Sequence, residues 1–226
     1  MVSLDEVRWR VARSYERLDL PSWPDPHPHG ASPQEDEYSR VTEPDRYRIV
    51  HARARAWAGS LGEIADVAVE TLSAPDLAAD GYSDRFDRGL RLTSSRPGTL
   101  PLLLLERDLP WPEPAAPLAV LQVSVVRPQI ALEAQPDCGC DACDSGSRDL
   151  LDAIDRAVGS VVDGPLVALR GRGWHAQWYP DGGSSGGRRR RPDHAHLMEL
   201  CRRLADGQKV RLPRGTEVFV GRSWLT

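Results

Sequence analysis

Leu4, Val7, Val11, Tyr15 and Leu18 recur at three- and four-residue intervals, the spacing of one helix face. Ser3 and Glu6 stand at capping-box distance, so a helix is predicted to start there and to end before Pro21. The five prolines between Pro21 and Pro33 rule out helix or inner strand and predict an extended arm. A second helix follows. Thr42 is placed to cap it and Pro44 suits its first turn, while Tyr47, Val50, Ala54, Trp57, Ala58 and Leu61 mark its apolar face, with His51 on the border.

From Glu63 to Glu133 the period changes. Leu90 and Leu92 alternate with Arg91 and Thr93 as in a half-buried strand. Leu100 to Leu105 and Leu118 to Val126 are denser apolar runs, read as more central strands joined by a proline-rich loop around Trp111. Short strands in succession predict an antiparallel sheet. Leu150, Leu151, Ile154, Val158 and Val161 form the stripe of a third helix, with Ser147 as its expected cap and Gly164-Pro165 as its stop.

Val167, Leu169, Trp174, Ala176 and Trp178 fall near period two and read as one strand, with His175, Gln177 and Tyr179 on its opposite face. Residues 181–191 read as a glycine-rich loop. Leu197, Met198, Cys201, Leu204 and Ala205 mark a last helix, and Val218 and Val220 a closing strand. The expectation is an α+β fold, an antiparallel sheet packed by helices. Residues 1–36 supply the first helix and the proline-rich arm, and residues 37–226 a single α+β domain.

Composition narrows the function classes. The chain has 226 residues, 29 basic and 33 acidic side chains and a net charge of -4, which excludes a polycation built to coat nucleic acid. No apolar run approaches a membrane span, and Asp5, Glu6 and Arg8 stand where a signal peptide needs an apolar stretch, so a cytoplasmic protein with no membrane partner is expected. Arg188, Arg189, Arg190 and Arg191 cluster in the glycine-rich segment; they lack interleaved aromatics, which argues against nucleic acid, but they define a candidate binding loop for acidic partners.

The segment from Asp137 to Asp144, Asp-Cys-Gly-Cys-Asp-Ala-Cys-Asp, carries the clearest chemistry. Cys138, Cys140 and Cys143 are too close in sequence to make good mutual disulfides but can converge on one metal ion, zinc first among them. A tetrahedral zinc site needs a fourth donor, and His51, His175, His194, His196, Cys201, an aspartate or water are all open possibilities. Between Glu133 and Asp155 stand seven acids and one base, Arg148. That charge predicts raised thiol pKa values in the absence of a cation, which speaks against a thioredoxin-like redox pair. There is no His-Glu-x-x-His, no Gly-x-Ser-x-Gly and no deaminase signature.

The stretch Glu37-Tyr38-Ser39-Arg40-Val41-Thr42, with Pro44, Arg46, Tyr47 and His51, together with the cysteine segment, resembles an uncharacterised domain-of-unknown-function family found mainly in actinobacteria. That family pairs a Tyr-Ser-Arg-Val-Thr stretch ending in histidine with Cys-Gly-Cys-Asp-Ala-Cys-Asp; Tyr47 and Val50 stand here where its motif more often has Phe and Leu. The resemblance brings no activity. It implies that His51 belongs to the motif and makes it the preferred fourth ligand. The functional expectation is a non-catalytic cytosolic protein with a structural zinc site, the alternatives being a zinc-dependent enzyme with an open metal position or a binding module built on the arginine loop.

Overall fold

Leu102 to Leu105 are all buried because the strand that carries them is covered on both faces: Leu102 and Leu104 enter the main core, Leu103 and Leu105 a small cluster with Leu72 and Phe86. This strand is the centre of the first of two antiparallel sheets in a computed structural model that describes residues 2–64, 66–74, 86–111, 116–187 and 192–225. The sheet is a meander of β1 (Val67–Ser73), β2 (Arg88–Ser94), β3 (Leu102–Trp111), β4 (Ala116–Val125) and β5 (Ala131–Gln135), in that spatial order. Each strand pairs antiparallel with the next, as short connections favour.

Helices α2 (Ile49–Gly62) and α3 (Gly146–Asp163) cover one face of this sheet, and α1 (Leu4–Glu16) packs on both of them. Ser3 caps α1 by accepting the Glu6 N–H at 3.2 Å, as its spacing predicts. α2 is buried nearly all round, including Ala56, Ser60 and Arg53, because the sheet, α1 and α3 all pack against it. Arg53 reaches Asp155 of α3 with two hydrogen bonds, and the Trp57 indole donates to the same carboxylate at 2.7 Å. The apolar stripe read from the sequence is thus one side of a helix that has almost no wet side.

The second sheet has the order β8-β7-β6-β9, with β6 (Leu166–Gly171), β7 (Trp174–Tyr179), β8 (Gly182–Gly187) and β9 (Glu217–Gly221). The period-two set from Val167 to Trp178 is a hairpin, not one strand. Cross-strand partners Val167 and Trp178, and Leu169 and Ala176, share a face, and the two-residue turn moves that face from odd to even positions. That face packs Val167, Leu169, Trp174 and Ala176 against Leu197 and Cys201 of α4 (His194–Ala205). The other face meets the first sheet: Arg170 donates to the Ala131 carbonyl and Gln177 to that of Leu132.

Three local expectations change. Residues 182–187 form a strand paired with β7, whose backbone supplies the order that the glycine-serine composition does not. Pro110 and Trp111 end β3 instead of lying in a loop, with Pro110 opposite Pro117 on β4. The arm at residues 21–33 is docked: Trp23 and Ser147 exchange backbone contacts, and Asp25 lies against the start of α3. No helix among the described residues is long and apolar enough to cross a membrane.

Candidate metal centre

The chain leaves the first sheet at Gln135 and enters α3 at Gly146, and the three cysteines lie in the crossing between them. A short 3-10 turn, Asp141–Cys143, is closed by the Cys143 N–H on the Cys140 carbonyl at 3.0 Å. The turn is tied down by two aspartates. Asp141 accepts the Thr42 N–H at 2.9 Å, the Thr42 hydroxyl at 2.5 Å and Arg40 Nε at 2.8 Å, while its own N–H donates to the Arg40 carbonyl.

Asp144 accepts the Trp23 indole N–H, Arg46 at 2.5 Å and the Gly146 N–H at 2.9 Å. Arg46 also lies over the Trp23 ring, 4.6 Å from its centre, and Trp23 meets Tyr47 edge-on. The segment from Arg40 to Tyr47 and the cysteine segment, which carry the sequence resemblance, are therefore in contact. Two caps are reassigned for the same reason. Thr42 spends its hydroxyl on Asp141, so the chain passes through a 3-10 turn, Pro44–Arg48, before α2 starts. The Ser147 hydroxyl serves Trp23 of the arm, and Ser145 holds the cap position of α3.

Two glycines are fixed by close approach. A Cβ on Gly139 would lie 2.4 Å from Leu118 Cδ2 of β4, so any larger residue there must displace the buried Leu118 side chain. Gly146 has φ +86° and a Cβ there would meet Asp25 N at 2.7 Å. Both keep the loop pressed against the fold.

On this support the Sγ atoms of Cys138, Cys140 and Cys143 lie within 4.8 Å of one another, with Cys138 and Cys140 at 3.1 Å. Cys140 is buried, while Cys138 and Cys143 are exposed. Burial, and the hydrogen bonding of the neighbouring thiols, push Cys140 up to about 12. Cys138 moves the other way, because the Cys140 backbone N–H and thiol both donate to it. The charge count alone predicts a rise for all of these thiols; Cys138 departs from it because those hydrogen bonds outweigh both burial and the charge of Asp137.

His51 is outside the thiol group. Its Nε2 lies 2.8 Å from the Val120 carbonyl, which makes this nitrogen the donor, and its Nδ1 faces Arg88, Glu106 and Asp108. Glu106, 3% exposed, is held by Arg55 and Arg88. This buried polar cluster was not anticipated, although a signal exists: Glu106 follows Leu102 and Leu104 at core-facing parity. Cys201 is packed in the second core, where burial pushes its thiol up to about 12. His175 is on β7, held below its usual range by burial and by Arg170, and His194 meets Ser185. Arg188 to Arg191 lie outside the described residues.

The donor set suits a thiophilic cation. A tetrahedral zinc ion about 2.3 Å from each thiolate sets sulfurs roughly 3.8 Å apart. The 3.1 Å pair needs to open slightly, a movement open to the exposed Cys138 side chain. No curated protein matches the chain, and no solved structure does. A protein-family model covers residues 11–226, and on that match the chain belongs to the Family of unknown function (DUF6226).

Proposed function

We propose that this protein is a cytoplasmic metal-binding protein that holds one zinc ion through Cys138, Cys140 and Cys143. The observation that carries this reading is the convergence of three thiols on a turn that no disulfide crosses. A reducing compartment keeps such thiols available, and a divalent cation deprotonates them on binding. The support from Asp141 and Asp144 is independent of the thiols, so the loop is ordered before metal arrives and little conformational entropy opposes binding. The zinc joins the β5–α3 crossing to itself; the joining of arm, turn and helix belongs to the aspartates.

Native mass spectrometry of freshly purified protein tests the reading. One zinc per chain is expected in the wild type and none in Cys140→Ser, which removes the buried ligand. A folded wild type that takes up no zinc at micromolar metal excess overturns it.

A further inference from the structure

We infer that a metal at the three thiols keeps one coordination position turned to solvent, and that this position takes a neutral donor from outside the chain, water or an imidazole nitrogen that displaces it. The inference rests on the metal-binding reading above and concerns what that metal can meet.

The two aspartates that anchor the turn, and the other donors read from the sequence, are already spent. Asp141 is engaged by Thr42 and Arg40, and Asp144 by Trp23, Arg46 and the Gly146 N–H. His51 Nε2 is bonded to the Val120 carbonyl, and Cys201 sits in the other core. Among the described residues, no histidine, carboxylate or further cysteine joins the three thiols. Three sulfurs leave one vertex of a tetrahedron free. Cys140 is 6% exposed and Cys138 and Cys143 are exposed, so protein backs one sulfur and water reaches the other two. The free vertex falls on the wet side.

Charge selects the donor. A divalent ion with three thiolates carries a net charge of about −1. Asp137, exposed and adjacent to Cys138, adds to that negative field and acts on its thiol. The cations that anchor the turn, Arg40 and Arg46, are paired with Asp141 and Asp144. An anion entering the vertex meets repulsion worth at least about tenfold in affinity, whereas a neutral nitrogen or oxygen does not.

Cobalt(II) is the probe, since its visible absorption reports its ligands. The wild-type protein is loaded with cobalt, its stoichiometry measured, and the complex titrated with imidazole and separately with azide. The expected result is one cobalt per chain, a saturable spectral change with imidazole, and half-saturation by azide at a concentration at least about tenfold higher. A spectrum unmoved by imidazole overturns the open position. Azide binding as readily as imidazole overturns the charge selection. Failure to take up cobalt at all, with Cys140→Ser behaving like wild type, defeats the metal-binding reading itself, and is told apart by the stoichiometry measured first.

Discussion

The Trp23 indole nitrogen lies 3.0 and 2.9 Å from the two carboxylate oxygens of Asp144, so the proline-rich arm and the cysteine loop share one buried anion. Arg46 completes the set from the turn before α2. Three stretches of chain meet at a carboxylate whose side chain is 1% exposed.

Removing that carboxylate takes from the Arg46 guanidinium its buried partner and leaves it only the exposed Glu43, 3.8 Å away. Asp144→Ala is expected to destabilise the protein by about 3 kcal/mol, the lower end for an orphaned buried charge. Trp23→Phe keeps the ring under Arg46 but deletes the N–H donor, and should cost about 1–2 kcal/mol. Urea unfolding of the two variants checks the order. Equal losses would mean that ring packing, not the shared carboxylate, holds the arm.

Asp141 gives the acid response of the loop. Burial raises its pKa, but hydrogen bonds from the Thr42 hydroxyl, Arg40 and the Thr42 N–H outweigh burial and hold it below the ordinary carboxylate value. A carboxyl with a depressed folded pKa contributes stability that is complete above the unfolded value of about 4 and is lost as pH falls through the folded one. Wild-type stability should therefore fall below about pH 4 more steeply than that of Asp141→Asn, whose curve lacks this contribution. Parallel curves for the two proteins would remove Asp141 from the account.

The fold was legible wherever one face of an element is apolar. The stripe of α3, the leucine run of β3 and the Val167–Trp178 set all pack as their spacing predicts, because burial obeys the helical and strand periods. The hairpin inside that last set showed only as the odd-numbered step from Leu169 to Trp174, where the two-residue turn moves the buried face from odd to even positions. Thr42 and Ser147 misled for a different reason: each is a good cap by type, but its hydroxyl is spent on a partner 99 or 124 positions away. The cysteine cluster was visible through spacing alone. Its thiol chemistry was not, because burial and the hydrogen bonds among the thiols and backbone of the folded turn move Cys138 and Cys140 in opposite directions, contacts that no charge count reveals.

His51 supplies a test of which residues the metal needs. The residue is 4% exposed and its Nε2–H satisfies the Val120 carbonyl of β4. His51→Ala should lower stability by about 1–3 kcal/mol through the carbonyl left unpaired. Its zinc stoichiometry should stay at one per chain. A variant that folds but loses zinc would make His51 a ligand in solution and require α2 and the cysteine loop to approach each other.

Metal removal separates a ligand site from a folding staple. A small zinc domain unfolds without its ion because the ligands alone hold the chain together. Here the turn keeps its Asp141 and Asp144 anchors, and the helices keep the Arg53–Asp155 pair and the main core, when the thiols are empty. Chelation is therefore expected to leave the far-ultraviolet circular dichroism unchanged at 25 °C. Zinc at 100 times its dissociation constant should still stabilise the native state by about 2.7 kcal/mol through mass action. For a chain of this size that raises the Tm by roughly 5–10 °C. Cys140→Ser should melt near the metal-free wild type and gain nothing from zinc, which ties the increment to the thiols. Loss of helix signal on chelation would instead show that the aspartate anchors cannot hold the crossing alone.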